Sequence, residues 1–201
     1  MEKFQTLTAV AVPLEVANCD TDRIIPARFL KMKRSDGYGK RLFNDVRYDG
    51  DGNPRPEFPL NKPAYKGARI LVADENFACG SSREAAVYAL HDAGFRAVIA
   101  PSYGDIFFNN CFKNGVLPIV LPADQVAAIR ASLAENPGTQ LTVDLENQTV
   151  TRGNEVWSFE VDPQRKQCLL EGLDDINLTL QHRGEMADFE AKYRADRPWM
   201  G

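Results

Sequence analysis

The chain has 201 residues, 44% of them hydrophobic and 26% charged, which is enough to bury the core of one substantial domain. Its formal net charge is −4 and its sequence pI about 5.3, a balance that disfavours a nucleic-acid partner. No apolar stretch approaches the roughly 20 residues of a membrane span, and Met1 to Thr6 lack the charged start and apolar centre of a signal peptide, so cytoplasm is the expected location.

Residues 6–17 alternate or run apolar in the manner of strands, with a break at Pro13. Asn18 to Arg23 then turn the chain, the Asn and Asp side chains being able to bond neighbouring backbone. Ile24-Ile25-Pro26 reads as a short extended piece. From Arg28 to Pro63 the texture changes: four glycines, four prolines and many charges leave little periodicity. So long an irregular stretch is usually functional or mobile, and 28–63 is expected to be a mobile loop region. The basic cluster over 28–41, Arg28, Lys31, Lys33, Arg34, Lys40 and Arg41, is either a solvated loop or a loop that folds over an anionic substrate.

Regular pattern resumes with a strand over 69–73, a helix from Ser82 to about Ala93 stopped by Gly94, and a second strand over 95–100. Strand, helix and strand within about 30 residues make a parallel βαβ unit. Ser102 and Asp105 are candidate caps for a helix ended by Gly115. A strand over 116–121 and a helix opened by Pro122-Ala123-Asp124 and closed by Asn136-Pro137-Gly138 follow. Segments 140–145, 149–152 and 156–161 read as a β-meander. Residues 168–172 look helical, and the chain ends in a polar amphipathic helix over about 183–195. The class is mixed α/β.

The chemistry concentrates in Asn76-Phe77-Ala78-Cys79-Gly80-Ser81-Ser82-Arg83-Glu84, between the 69–73 strand and the following helix. A strand feeding through a small-residue loop into a helix N-terminus is a common place to hold an anion. Gly80 permits close backbone approach, Ser81 and Ser82 supply hydroxyls, and Arg83 adds a carboxylate-shaped fork. The same letters also spell a capping box, with Ser81 as N-cap and Glu84 reaching back. Both readings stand on local pattern. The four cysteines, at 19, 79, 111 and 168, are far apart and make no metal-ligand run, so any metal is expected on a partner. His91, in the last turn of the helix, suits the helix dipole.

Three further pieces set the context: Asp20-Thr21-Asp22-Arg23-Ile24-Ile25-Pro26, Ser102 through Asn110, and Gly172 through Leu180. Together with Asn76 through Glu84 and Gly115-Val116-Leu117-Pro118-Ile119 they closely resemble the small subunits of the 3-isopropylmalate dehydratases, the leucine-pathway branch of the aconitase family. The similarity runs nearly end to end. It implies one swivel-type domain over 1–201, of layered β/β/α architecture, with a helical C-terminal tail over about 183–201. It also implies a heterodimer with a large subunit that carries a [4Fe–4S] cluster, and no cofactor bound by this chain.

The reaction the resemblance implies is isomerisation of 2-isopropylmalate and 3-isopropylmalate through 2-isopropylmaleate. Ser81 matches the family's catalytic base and Arg83 its carboxylate-binding arginine, with Gly80 and Ser82 beside the substrate. The loop after Ile-Ile-Pro is associated with substrate choice: Phe29, Leu30 and Met32 are candidates to face the isopropyl group, and Arg28 or Lys31 to reach a carboxylate. Asp20, Thr21, Asp22, Asn76 and Glu84 are expected to build the surroundings. One departure is Ala85, where many relatives have histidine. Dehydration of another hydroxy-diacid, citramalate or homoaconitate, and a non-catalytic anion-binding module remain the alternatives. Gly-x-Ser-x-Gly is absent, which leaves a stand-alone serine hydrolase remote.

Overall fold

The structure is a computed structural model and describes residues 1–200. The first strand, β1 (Leu7–Pro13), carries the alternation seen in sequence: Leu7, Ala9 and Ala11 are buried against one core and Val12 against another. A turn leads to α1 (Thr21–Ile24), a single turn of helix capped by the Asp20 carboxylate, which accepts from the Arg23 N–H at 2.7 Å. The expected extended Ile24-Ile25-Pro26 is therefore partly helical. Both isoleucines are fully buried.

Segment 28–63 folds as successive 3₁₀ turns and one short helix, α2 (Asn44–Arg47). Sequence periodicity is blind to such a path, because 3₁₀ pieces of three to five residues repeat no hydrophobic face. What holds it is aromatic. Tyr38, Leu42, Phe43 and Phe58 enter the core, with the Phe43 and Phe58 rings 5.7 Å apart. Arg34 forks onto Asp92 and lies 4.1 Å over the Tyr88 ring.

The parallel half follows as β2 (Ile70–Val72), α3 (Glu84–Asp92), β3 (Ala97–Ala100), α4 (Asp105–Lys113) and β4 (Leu117–Val120). Helix α5 (Ala123–Glu135) returns the chain to a meander of β5 (Gln140–Asp144), β6 (Thr149–Arg152) and β7 (Glu155–Ser158). All seven strands join one sheet, ordered β4-β3-β2-β1-β5-β6-β7. β1 to β4 are mutually parallel, with Val12 opposite Leu71 and Leu71 opposite Val98. β5 pairs antiparallel with the outer half of β1, Ala9 lying opposite Leu141. β1 thus belongs to both halves.

The sheet separates two apolar cores. Val12, Leu71 and Val98 face Ala86, Val87, Leu90 and the buried part of the 24–77 region. Ala11, Ile70, Val72 and Ile99 face α5 through Val126, Ile129 and Leu133, and the same cluster takes Leu141, Val143 and Val150 from the antiparallel half. These strands are apolar on both faces because both are covered.

The chain ends in α6 (Pro163–Glu171), α7 (Asp175–Leu180) and α8 (Arg183–Asp196). α6 begins five residues before the expected start, at an Asp162-Pro163 entry in which Asp162 accepts from the Arg165 N–H. α7 is too short to show a period in sequence, although Asp174 caps it at 2.7 Å through Asn177. No helix among the described residues is long and apolar enough to cross a membrane.

A glycine tests how tightly 28–63 is fixed. A Cβ on Gly39 would stand 2.5 Å from the Ala93 nitrogen at the end of α3, whereas one on Gly50 would meet nothing within 4 Å. Gly39→Ala is expected to destabilise the chain by about 1–3 kcal/mol, and Gly50→Ala to stay within about 0.5 kcal/mol of wild type. Urea unfolding of the two variants checks the contrast.

Candidate active site

The loops leaving the C-terminal ends of β1, β2 and β3 converge, the position at which parallel sheets offer a crevice. The middle loop, 73–83, has an unusual path. Asn76, Ala78 and Gly80 all take positive φ, at 53°, 58° and 89°. Asparagine and glycine tolerate this. Ala78 does not, and such a residue costs on the order of 1–3 kcal/mol unless its surroundings hold it.

They do hold it. The Ala78 N–H donates to the Cys19 carbonyl at 2.6 Å, the Phe77 N–H to the Ser102 carbonyl at 3.0 Å, and the Gly104 N–H to the Phe77 carbonyl at 2.9 Å. Ser102 also accepts from the Asn76 N–H through its hydroxyl, at 2.8 Å. The Asn76 amide group donates to Asn18 at 2.7 Å. Phe77, fully buried, meets Tyr103 and Phe107 edge-on at 6.4 and 5.5 Å. The loop is therefore laced on both sides, like a strand between strands. Gly104 completes the fit, since a Cβ there would stand 2.4 Å from the Ala78 oxygen.

The 20–22 triplet then has one task per residue. Asp20 caps α1. Thr21, buried, donates its N–H to the Cys79 carbonyl at 3.0 Å and its hydroxyl to the Ser81 carbonyl at 3.1 Å. Asp22 receives both terminal nitrogens of Arg83, one contact being 2.7 Å, and also accepts from the Ala27 N–H at 3.2 Å. Arg83 beside it holds the Asp22 carboxyl below its ordinary range, chiefly through the hydrogen-bonded fork. The Arg83 side chain is only 14% exposed, while the Asp22 side chain is 53% exposed. Ser81 and Ser82 stay exposed between the laced loop and this fork.

The capping-box reading is corrected by the geometry. α3 starts at Glu84 with Arg83 at its N-cap, and no side chain caps it. Ser81 lies three residues upstream, and Glu84 instead accepts from the Asn114 side chain at 2.9 Å. Asp22 competes for the local pattern: it pins Arg83, whose backbone is extended at φ −134° and ψ 101°, immediately before the helix. Ser102 likewise caps no helix, being engaged with Asn76.

Asp20, Thr21, Asp22, Asn76, Gly80, Ser81, Ser82 and Arg83 are thus brought together. Arg28 and Phe29 lie elsewhere, in a cleft of about 460 Å³ shared with Lys40, Arg41 and Arg55 and not lined by Ser81 or Arg83. There Arg28 forks onto Asp45, and Arg28 and Arg41 stack over Phe29 at 4.5 and 5.1 Å. Lys31 and Leu30 are exposed on the connecting turn. Asn18 joins the site without a clear mark in the sequence, and Ser102, marked there as a cap and as the start of a family piece, joins it through Asn76 instead. The signal at Asn18 is faint, since a short polar residue in a turn has many uses.

Burial pushes the Cys19 thiol up to about 12 and the Cys111 thiol well above its ordinary range. Such thiols are neither nucleophiles nor ready metal ligands. Among the described residues no three His, Cys, Asp or Glu side chains gather in a metal-holding group.

Residues 1–124 match a family described as the aconitase C-terminal domain, residues 127–163 one described as LeuD_N, and residues 175–201 the C-terminal domain of the 3-isopropylmalate dehydratase small subunit. The chain is 52% identical over 201 residues to a 3-isopropylmalate dehydratase small subunit of Roseobacter denitrificans, covering 100% of both. It is 55% identical over 202 residues to one of Paramagnetospirillum magneticum, again covering 100% of both. Among solved structures it resembles the 3-isopropylmalate dehydratase LeuD of Methanocaldococcus jannaschii, with a TM-score of 0.68 and 25% identity over 92% of this chain and 99% of that one.

The Arg83–Asp22 fork carries a pH signature. Because the folded carboxyl titrates lower than the unfolded one, Asp22 contributes stability that is full above the unfolded value, about 4, and is lost as pH falls through the lowered folded value. Asp22→Asn is therefore expected to be less stable than wild type at pH 7, with the gap closing as pH falls through the lowered folded value. Urea unfolding of both proteins from pH 7 downward measures it.

Proposed function

The chain belongs to the family of 3-isopropylmalate dehydratase small subunits, and from that premise we propose how its residues serve the reaction. It is one part of a hydro-lyase of leucine biosynthesis that works with a large subunit. The reaction exchanges 2-isopropylmalate and 3-isopropylmalate by losing and regaining water through 2-isopropylmaleate. That chemistry needs a base for a proton beside a carboxylate, cations for two carboxylates, and a Lewis acid for the departing hydroxide.

The cysteines of this chain do not fit an iron–sulfur cluster, being scattered and in two cases deeply buried. We assign the [4Fe–4S] cluster, and the Lewis acidity it supplies, to the large subunit. What this chain contributes is the base and a carboxylate clamp. Ser81 is the base. Its hydroxyl is exposed, and its backbone is fixed by Thr21. A neutral hydroxyl is a poor base, so its alkoxide needs positive charge nearby, and Arg83 two residues on is the closest cation in sequence. Arg83 is the clamp. Asp22 takes one hydrogen from each terminal nitrogen. A guanidinium has five, which leaves the Nε–H and one on each Nη for a substrate carboxylate. Asp22 thus orients the fork without using it up.

The observation that carries this reading is the conjunction of an exposed serine and an oriented arginine directly after a loop held at positive φ at Asn76, Ala78 and Gly80. Arg28 and Lys31 enter the reading as carboxylate contacts that the 27–31 turn brings in when the site closes against the large subunit, with Phe29 and Leu30 beside the isopropyl group. Contact of the exposed parts of 28–63 with the large subunit should protect residues 35–60 from protease in the heterodimer. Equal cleavage of free and assembled protein would contradict that contact.

Absorbance of the unsaturated intermediate, followed anaerobically after adding 3-isopropylmalate, tests the roles directly. Turnover is expected from the mixture of this chain with its large subunit and from neither alone. Ser81→Ala should lower the rate of the mixture by about 10²-fold or more, the usual size of a general-base contribution. A wild-type rate from Ser81→Ala would move the base elsewhere.

A further inference from the structure

α7 and α8 carry apolar side chains that this fold does not use. Ile176 is 71% exposed, Leu180 49%, Met186 49% and Phe189 68%. None of the 14 residues of α8 is buried. A helix of that length is marginal in water on its own and ordinarily draws its stability from packing a face. Met186, Phe189 and Tyr193, spaced three and four apart, share such a face, and the Phe189 and Tyr193 rings lie 5.9 Å apart. The root of the segment is fixed to the body: the Met1 amino group donates to the Gly172 carbonyl at 2.9 Å, and Lys113 pairs with Asp175 at 2.9 Å. An anchored base with an uncovered apolar face describes one side of an interface.

The division of the chain indicates what covers that face. The body, through residue 124, matches a domain that by its description is the C-terminal part of aconitase, whereas 175–201 match a domain specific to dehydratase small subunits. A C-terminal domain is tethered to the rest of its protein by peptide bonds. A separate subunit has only contacts. The segment matching the small-subunit domain holds five of the nine large apolar side chains that stand exposed among the described residues, Ile176, Leu180, Met186, Phe189 and Trp199. Resting on the reading of this chain as half of a two-chain enzyme, we propose that α7 and α8 form a docking surface for the large subunit, with Ile176, Leu180, Met186 and Phe189 as its apolar anchors. The surface takes the place of the missing tether and lies outside the Ser81–Arg83 chemistry.

Full-length Phe189→Glu and the double variant Met186→Glu/Phe189→Glu test this against purified large subunit by sedimentation velocity. Because neither residue is buried, thermal unfolding of the free chain should match wild type. Affinity for the large subunit should fall by at least about tenfold, as for an apolar anchor replaced by charge. Turnover at saturating large subunit should return close to the wild-type rate. Unchanged affinity with normal wild-type turnover would overturn the docking surface alone. So would a free chain that dimerises through Phe189 while the variants still bind the large subunit normally. No complex between the wild-type chain and the large subunit would instead overturn the functional reading beneath it.

Discussion

The site depends on the lacing of residues 76–80 between the turns that follow β1 and β3. A non-glycine residue at positive φ is unfavourable by itself, and Ala78 sits there between two others. Net hydrogen bonds contribute about 1 kcal/mol each, and a buried phenylalanine about 1.5–3 kcal/mol. The backbone bonds to Cys19, Ser102 and Gly104, together with Phe77 buried between Tyr103 and Phe107, are of the size needed to offset the strain. What the strain achieves is direction: the chain leaves β2, passes through Gly80 at positive φ, exposes Ser81 and sets the largely covered Arg83 side chain against Asp22.

From that base the remaining order follows. With the 76–80 loop fixed, Thr21 has two carbonyls to bind, at Cys79 and Ser81, and Asp22 falls opposite Arg83. The first and second loops are thereby one unit. Asp22 also holds Ala27, so the turn carrying Arg28 to Lys31 begins from the same carboxylate. The aromatic anchors Tyr38, Phe43 and Phe58 then seat the rest of 28–63 on the core. The reactive serine, the oriented arginine and the start of the 27–31 turn thus share one connected framework.

Much of this is legible in the sequence where a periodicity or a cap carries the signal. The strands of the parallel half, α5 and the meander follow from apolar runs and turn residues, and the β2–α3–β3 unit from their order. Two kinds of feature are illegible. The 28–63 path consists of turns too short to repeat a pattern, and its order comes from aromatics meeting distant residues. The start of α3 misleads because Ser81-Ser82-Arg83-Glu84 satisfies a local rule that a long-range ion pair overrides: Asp22, 61 residues away, claims Arg83. The functional letters are easier to find than their geometry. Serine, arginine and glycine stand together in sequence, whereas Asn18 and Ser102, which hold them in place, are far from them.

The central claim is that the loop is preformed in the free chain rather than shaped by substrate. Amide hydrogen exchange resolved to single residues measures this. If the lacing holds, the amides of Phe77 and Ala78 exchange as slowly as those of Leu71 and Val98 in the central strands, while Ser81 and Ser82 exchange fast. Rapid exchange at Phe77 and Ala78, with the strands still protected, would contradict the account and make the site a product of assembly.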